Sequence, residues 1–400
     1  MIEALRVRDF RLLWTARAVA TFGTGLLIVA VPAHVYAVTG SVLATGVTLA
    51  FEYLPALALG PFAGVVADRW DRRRLMVATD LLHALAVCVA LAARTPETIW
   101  LIYLAVLGQG CAAVLFRPAA QAHTRAAVGD GPALTSANTL NAVTTGVVAL
   151  AAPPAGGLVF ALLGIEAVVG AAVGASLVSA ACIARMSSVR VRDRGLPQHV
   201  LADLRDGLGH LRRTAVARGL LVANGVYLLA NSALTALLVP FGVTRLGGSL
   251  QVGYLLSALG LGYLIGAPIS RWVAGRFSVR TAVAAGQVLV AAAFALMFNA
   301  GSLPVALVAA VLLGVPGVSV LVAVQTWLQR NTPEELLGRV SAAFLTVEAA
   351  VTLAGALAGP ALSEFSGLPV ALNTACAVTL LSALITFWLV PPRAATVERT

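Results

Sequence analysis

The sequence predicts an all-α integral membrane protein, its twelve transmembrane helices arranged as two six-helix bundles related by an internal repeat. Three observations predict this class: the composition, the spacing of apolar runs, and a correspondence between the two halves at one fixed offset. Of 400 residues, 60% are hydrophobic and 11% are charged, and the mean hydropathy is +0.92. A water-soluble globule carries about 25% charged residues, because its surface must face water. This chain lacks the charge to do so, and its outer surface is expected to face lipid.

A spanning helix needs about 20 mostly apolar residues, and such runs recur at roughly 14–38, 44–66, 75–94, 98–119, 135–160, 165–185, 219–243, 251–271, 281–299, 303–328, 337–362 and 367–390. The first run has no short apolar core followed by a small-residue cleavage site, so it is read as a span. An even number of spans puts both termini on one side. If that side is the cytoplasm, every arginine except Arg94 and Arg245 lies there or near an inner helix end, as the positive-inside rule requires. Residues 1–185 are then the first bundle, 186–218 a cytoplasmic linker and 219–400 the second bundle. Within the linker, Leu201, Leu204, Leu208 and Leu211 recur at helical spacing. That spacing predicts an amphipathic helix at the membrane surface, tethering the two halves.

Several classes of function are excluded early. All 27 basic residues are arginine. Without lysine there is neither a P-loop nor Schiff-base chemistry, and the chain carries no ATPase of its own. The formal charge of +10 is spread over helix ends and forms no basic face interleaved with aromatics, so nucleic acid is not an expected partner. Cys88, Cys111, Cys182 and Cys376 each lie in an apolar run without a CxxC or Cys/His cluster, which predicts neither a disulfide nor a metal site. HExxH and GxSxG are absent, and no cofactor or enzymatic activity is expected.

Adding 207 to a residue number superimposes the halves. Gly40 meets Gly247, Gly46 meets Gly253, Pro61 meets Pro268, Arg69 meets Arg276, Arg73 meets Arg280, Gly110 meets Gly317 and Pro153 meets Pro360. Coincidences at one offset, at equivalent places in the span pattern, mark a duplicated six-helix unit. Parallel repeats about an axis along the membrane normal are the architecture of transporters that rock two halves around a central site. No TVGYG-like channel filter occurs.

Between the second and third runs the chain reads Gly64-Val-Val-Ala-Asp68-Arg69-Trp70-Asp71-Arg72-Arg73-Arg74, with a weaker echo at Ala274-Gly275-Arg276-Phe277-Ser278-Val279-Arg280. The fifth run carries Pro153-Pro154-Ala155-Gly156-Gly157, and the eleventh carries Gly355-x-x-x-Gly359-Pro360. Further stretches are Phe116-Arg117-Pro118-Ala119-Ala120, Ser136-Ala137-Asn138-Thr139-Leu140, and Thr332-Pro333-Glu334-Glu335-Leu336-Leu337-Gly338-Arg339-Val340. Over nearly its whole length the sequence resembles the major facilitator superfamily, and it is similar to the bacterial twelve-span exporters of drugs and siderophores, which include the enterobactin exporter and macrolide efflux proteins.

The resemblance implies that Gly64, Asp68, Arg69, Arg72 and Arg73, with Arg276 and Arg280 in the second half, form a cytoplasmic gate. It also implies that Asp68 engages Gly338 and Arg339 at the start of span 11. Pro153, Gly156, Gly157, Gly355, Gly359 and Pro360 resemble the antiporter signature, where proline and small residues allow a helix to bend. Two departures remove a usual proton-handling group. Phe22-Gly23-Thr24-Gly25 in span 1 carries no acid, and Val106 stands where a drug-exporter motif has arginine.

An ionised group at mid-membrane costs about 2.5–3.5 kcal/mol on insertion scales, so its presence calls for a partner or a role. Glu348 lies eleven residues into span 11, roughly 16 Å deep. Glu348, Glu52 and Asp80 are the proton-coupling candidates. The first two could instead be structural ion pairs, and Asp80 is placed to pair with Arg72 or Arg73. Arg17 is read as reaching toward the inner headgroups. Gln109, Arg117, Asn141, Tyr227, Asn231 and Gln325 are the substrate-cavity candidates, with interhelical hydrogen bonds as the alternative for each.

The expected activity is export of amphipathic small molecules across a bacterial cytoplasmic membrane, in exchange for protons. The alternatives are movement of lipid or lysophospholipid, or passive facilitation. Expected partners are a small-molecule substrate, protons and membrane lipids, with one duplicated chain acting as a monomer.

Overall fold

In the computed structural model, residues 2–129, 131–187 and 200–391 are described, and every regular element among them is helical. The spans are Arg8–Thr39 (span 1), Val42–Arg69 (span 2), Arg72–Val89 (span 3), Trp100–Val128 (span 4) and Pro132–Ala184 (spans 5 and 6). The second half contributes Ala215–Arg245 (span 7), Ser249–Arg276 (span 8), Val279–Phe298 (span 9), Leu303–Asn331 (span 10), Glu334–Ser366 (span 11) and Leu368–Leu389 (span 12). Spans 5 and 6 run together as 53 residues, interrupted at Gly164, where φ is 80° and ψ is −176°. That left-handed backbone favours glycine, and it divides the stretch into the two spans that its length requires.

The chain forms two compact units, residues 1–198 with 247–253, and residues 199–246 with 254–400. In the first unit, span 1 packs on spans 5 and 6, and span 4 on spans 2 and 3. Its main core gathers Leu26, Ala30, Val31, Val87, Ile102, Ala105, Val168 and Val169. Lipid gives helices little hydrophobic drive to associate, so contact depends on close packing of small residues. A methyl group on Gly156 would strike the backbone of Leu26, and one on Gly108 would come within 2.8 Å of the Ala86 methyl.

The second unit repeats the plan, with span 7 on spans 11 and 12 and span 9 on spans 10 and 12. A methyl on Gly355 would strike the backbone of Leu229, and one on Gly359 would come within 2.7 Å of the Ala233 side chain. Phe241 of span 7 meets Phe298 of span 9 edge to face at 4.9 Å.

Helix starts repeat as well. Asp71 caps span 3 by accepting from the Arg74 amide at 3.0 Å, and Ser278, one repeat later, caps span 9 through the Thr281 amide at 3.2 Å. Each cap satisfies one amide that the first helical turn leaves without a partner. The linker helix is Val200–Arg213. It packs along span 11 within the second unit, where Leu211 is buried and Gly207 lies against the Arg339 backbone.

Candidate functional site

In the second unit, spans 7 and 11 lie close enough to bond through their side chains. Asn224 Nδ2 donates to Glu348 Oε1 at 2.8 Å, and two turns along, Ser232 Oγ donates to the Thr352 carbonyl at 2.7 Å. The glycine contacts of span 11 bring these helices together, which links the small residues of the sequence to the position of the acid. Glu348 is half-buried and has no ion pair among the described residues. Its hydrogen-bond partner among the described residues is a neutral amide. Asn224, Tyr227 and Asn231 stand at i, i+3 and i+7 on one face of span 7, with Tyr227 buried and Asn231 half-buried. Gln325 of span 10 is half-buried.

In the first unit, Arg17 and Asn141 line a shallow cleft with Trp14, Ala18, Thr21, Thr144 and Thr145. Trp14 Nε1 donates to Thr144 Oγ1 at 2.9 Å, which ties span 1 to span 5. Arg117 of span 4 is exposed and lies within electrostatic reach of Arg17. Gln109 is half-buried between Gly108 and Gly110, the glycines that seat span 4 on spans 3 and 2. Glu52 of span 2 is exposed and has no side-chain partner among the described residues. Its neighbour Phe51 stacks on Tyr103 at 5.4 Å.

Asp80 differs from expectation. It is buried at 6% exposure, yet neither Arg72 nor Arg73 pairs with it. Arg72 donates to the Ala122 carbonyl at 3.4 Å and Arg73 to the Met186 carbonyl at 2.8 Å. The reason is distance along the helix, since seven or eight residues separate these arginines from Asp80, about 10–12 Å. The Met186 carbonyl, just past the end of span 6, and the Ala122 carbonyl of span 4 are the acceptors within reach. Ser179 lies beside Asp80, but neither its hydroxyl nor Asp80 Oδ2 completes a hydrogen bond. At the repeat offset these positions become Gln287 and Thr386, whose side chains do bond, Thr386 Oγ1 donating to Gln287 Oε1 at 2.7 Å.

Of the gate residues, Gly64, Asp68 and Arg69 have side-chain positions outside the described residues. Gly338 is exposed with open space around it. Arg339 Nη1 meets Asp206 Oδ2 of the linker helix at 3.3 Å. Arg276 lies over the Trp272 ring at 5.9 Å and Arg280 over the Phe387 ring at 3.9 Å. Arg73 and Arg280 thus hold the inner ends of spans 6 and 12, equivalent tasks in the two halves. Spans 5 and 11 stay helical through Pro153 and Pro360. Gly156, Gly355 and Gly359 serve close approach to spans 1 and 7, while Gly157 is also closely packed.

A family model described as Major Facilitator Superfamily matches residues 13–349 and again residues 220–400. The chain belongs to the major facilitator superfamily. It is a multi-pass membrane transporter, and its relatives include efflux proteins. It is 29% identical over 369 residues to the multidrug efflux pump Tap of Mycolicibacterium fortuitum, covering 86% of this chain and 88% of the relative. To the enterobactin exporter EntS of Escherichia coli O1:K1 it is 28% identical, over 83% of this chain and 80% of that protein. To macrolide efflux protein A of Streptococcus pyogenes it is 22% identical over 57% of each. Among solved structures of this superfamily fold, the nucleoside transporter NupG matches with a TM-score of 0.77 at 10% identity, over 95% of this chain and 98% of that one. The POT family transporter PepTSo matches with a TM-score of 0.71 at 11% identity, over 95% and 97%.

Sequence reasoning missed Asn224. The signal was present, because Asn224 is Arg17 moved by the repeat offset, just as Glu348 is Asn141 moved by it. The Asp80–Ser179 and Gln287–Thr386 correspondence was legible by the same arithmetic. His83 was also passed over. Its Nδ1 lies 2.9 Å from Ser176 Oγ and its Nε2 lies 3.4 Å from Thr24 Oγ1, so it links spans 1, 3 and 6.

Proposed function

We propose that the chain exports amphipathic small molecules from the bacterial cytoplasm by alternating access, in exchange for protons, with both termini cytoplasmic. The observation that carries the reading is the Asn224–Glu348 pair, a carboxyl deep in a span and hydrogen-bonded by a neutral amide instead of a cation. An ionised carboxylate there costs about 2.5–3.5 kcal/mol on insertion scales, and taking up a proton removes that charge. A proton bound from outside and released inside draws on the membrane potential, which supplies about 2.3 kcal/mol per charge per 100 mV. Glu52, exposed and without a side-chain partner among the described residues, is the second candidate for this task. The efflux relatives support the outward direction and a small-molecule substrate.

The test uses an efflux-deficient bacterium expressing the full chain and a panel that includes a macrolide and enterobactin, with and without a protonophore. The wild type is expected to lower accumulation, and the protonophore to restore it. Glu348→Gln is expected to lose uphill export by about ten-fold or more, while exchange of labelled for unlabelled substrate at zero gradient persists. Full uphill export by that variant would remove Glu348 from the mechanism. Equilibration without accumulation in the wild type would make the protein a facilitator.

A further inference from the structure

Two arginines of the first unit lie at one depth without a counter-ion among the described residues. Arg17 is nine residues from the inner start of span 1, and Arg117 is eleven from the inner end of span 4, so both sit about 14–16 Å along their helices from that face. Asn141 is nine residues into span 5, at the same level. Among the described residues neither guanidinium has an acid or a hydrogen-bond acceptor, and Arg17 lies within reach of the like charge of Arg117. Two like charges this close, with no acid beside either among the described residues, repel each other, and an anion held between them would relieve that repulsion.

The cleft beside Arg17 supplies the rest. It admits a water-sized group, and it is lined by the Arg17 guanidinium, the Asn141 carboxamide and the hydroxyls of Thr21, Thr144 and Thr145. Thr144 and Thr145 already donate to the carbonyls of Leu140 and Asn141, and Thr144 also accepts from Trp14. The uncommitted groups are the guanidiniums, the Asn141 carboxamide and the Thr21 hydroxyl, and each of them can donate. A planar guanidinium beside a carboxamide matches the two oxygens of a carboxylate or similar oxyanion. Across the repeat, Arg17 and Asn141 become Asn224 and Glu348. The first unit carries the cation at a position pair where the second carries the acid, so the two halves have diverged toward ligands of opposite charge.

We infer that Arg17, with Asn141 and Arg117, forms an anion subsite in the first unit that binds an oxyanion group of the transported molecule. The substrate is then an amphipathic acid. This rests on the export reading above.

Inverted vesicles from an efflux-deficient bacterium expressing the full chain provide the test, with energised uptake measured for three probes. These are dansyl-phenylalanine, which bears a carboxylate, its neutral amide, and dansylcadaverine, a cation. The wild type is expected to accumulate the carboxylate probe in preference to the other two. Arg17→Gln should lower its uptake by about ten-fold or more, as loss of a charge-assisted bond predicts, with the amide changed less than about two-fold. Arg17→Lys should keep part of the carboxylate uptake, and Arg117→Gln should lower it without lowering membrane abundance. Equal loss of both probes in Arg17→Gln, at normal abundance, would overturn the subsite in favour of a packing role. So would wild-type preference for the amide or the cation, which leaves the export reading standing. Accumulation of none of the three would overturn both.

Discussion

Asp80 and Gln287 occupy one position of the repeat, and the comparison separates two kinds of buried polar residue. Gln287, with no exposed surface, accepts from Thr386. Asp80 stands beside Ser179 with Oδ2 unsatisfied. A position that accepts a neutral amide in one half is one where the fold asks for polarity and not for charge. Asp80→Asn is therefore expected to retain protonophore-sensitive export within about two-fold and to leave thermal stability unchanged or higher, since an uncharged group is cheaper to bury. Loss of uphill export comparable to that of Glu348→Gln would return Asp80 to the proton path. Glu348 differs from Asp80 in its bonding partner and not in its repeat position. Its repeat partner is Asn141, but its own bonding partner Asn224 replaces an arginine, so acid and base have been separated onto different halves. Sequence spacing identified Glu348 by its depth in a span, but not its partner, because a hydrogen bond between helices 124 residues apart leaves no local pattern.

At the scale of helices, the apolar runs were legible to within a few residues, since length and hydropathy alone set a span. The division of spans 5 and 6 at Gly164 fell within the gap between two such runs. The tasks of the loop arginines were not legible. Arg73 and Arg280 read as gate residues, and within their own units they hold the Met186 carbonyl and the Phe387 ring. The glycines of spans 5 and 11 read as hinges, and in the structure their missing side chains also set helix-to-helix distance. Gly355→Leu is therefore expected to destabilise the second unit by about 1–3 kcal/mol or more, the usual cost of overpacking, because the Leu229 backbone has no rotamer by which to yield. Gly170→Ala, facing open space, is the matched control and should melt with the wild type. Thermal unfolding of both variants in detergent, followed by monodispersity, checks the pair. Equal melting would mean that spans 7 and 11 tolerate separation, and would weaken the packing account of the signature.

For the whole molecule, the arginine distribution ties the duplicated fold to its orientation. Each six-helix unit begins and ends on the same side, so duplication without inversion gives every inner loop of one half an equivalent in the other. Arg69 and Arg73 in the first half and Arg276 and Arg280 in the second fall at the same turn, and only Arg94 and Arg245 fall on the opposite face. Arg94 lies 3.4 Å from Glu166, which offsets one of these two exceptions locally. Retention of basic loops on the cytoplasmic side acts on short loops near span ends, and here every loop between spans within a unit is short. Gly275, in the last turn of span 8, and Gly301, in the turn after span 9, report the two faces, since both are exposed with open space around them and lie at opposite ends of span 9. In a background with Cys88, Cys111, Cys182 and Cys376 replaced by alanine, a membrane-impermeant maleimide added to intact cells should label Gly301→Cys and spare Gly275→Cys until the membrane is opened. The reverse pattern would place the arginine-rich loops outside. It would also reverse the direction assigned to transport, because the inner and outer ends of every span, and the side from which Glu348 takes its proton, follow from that one orientation.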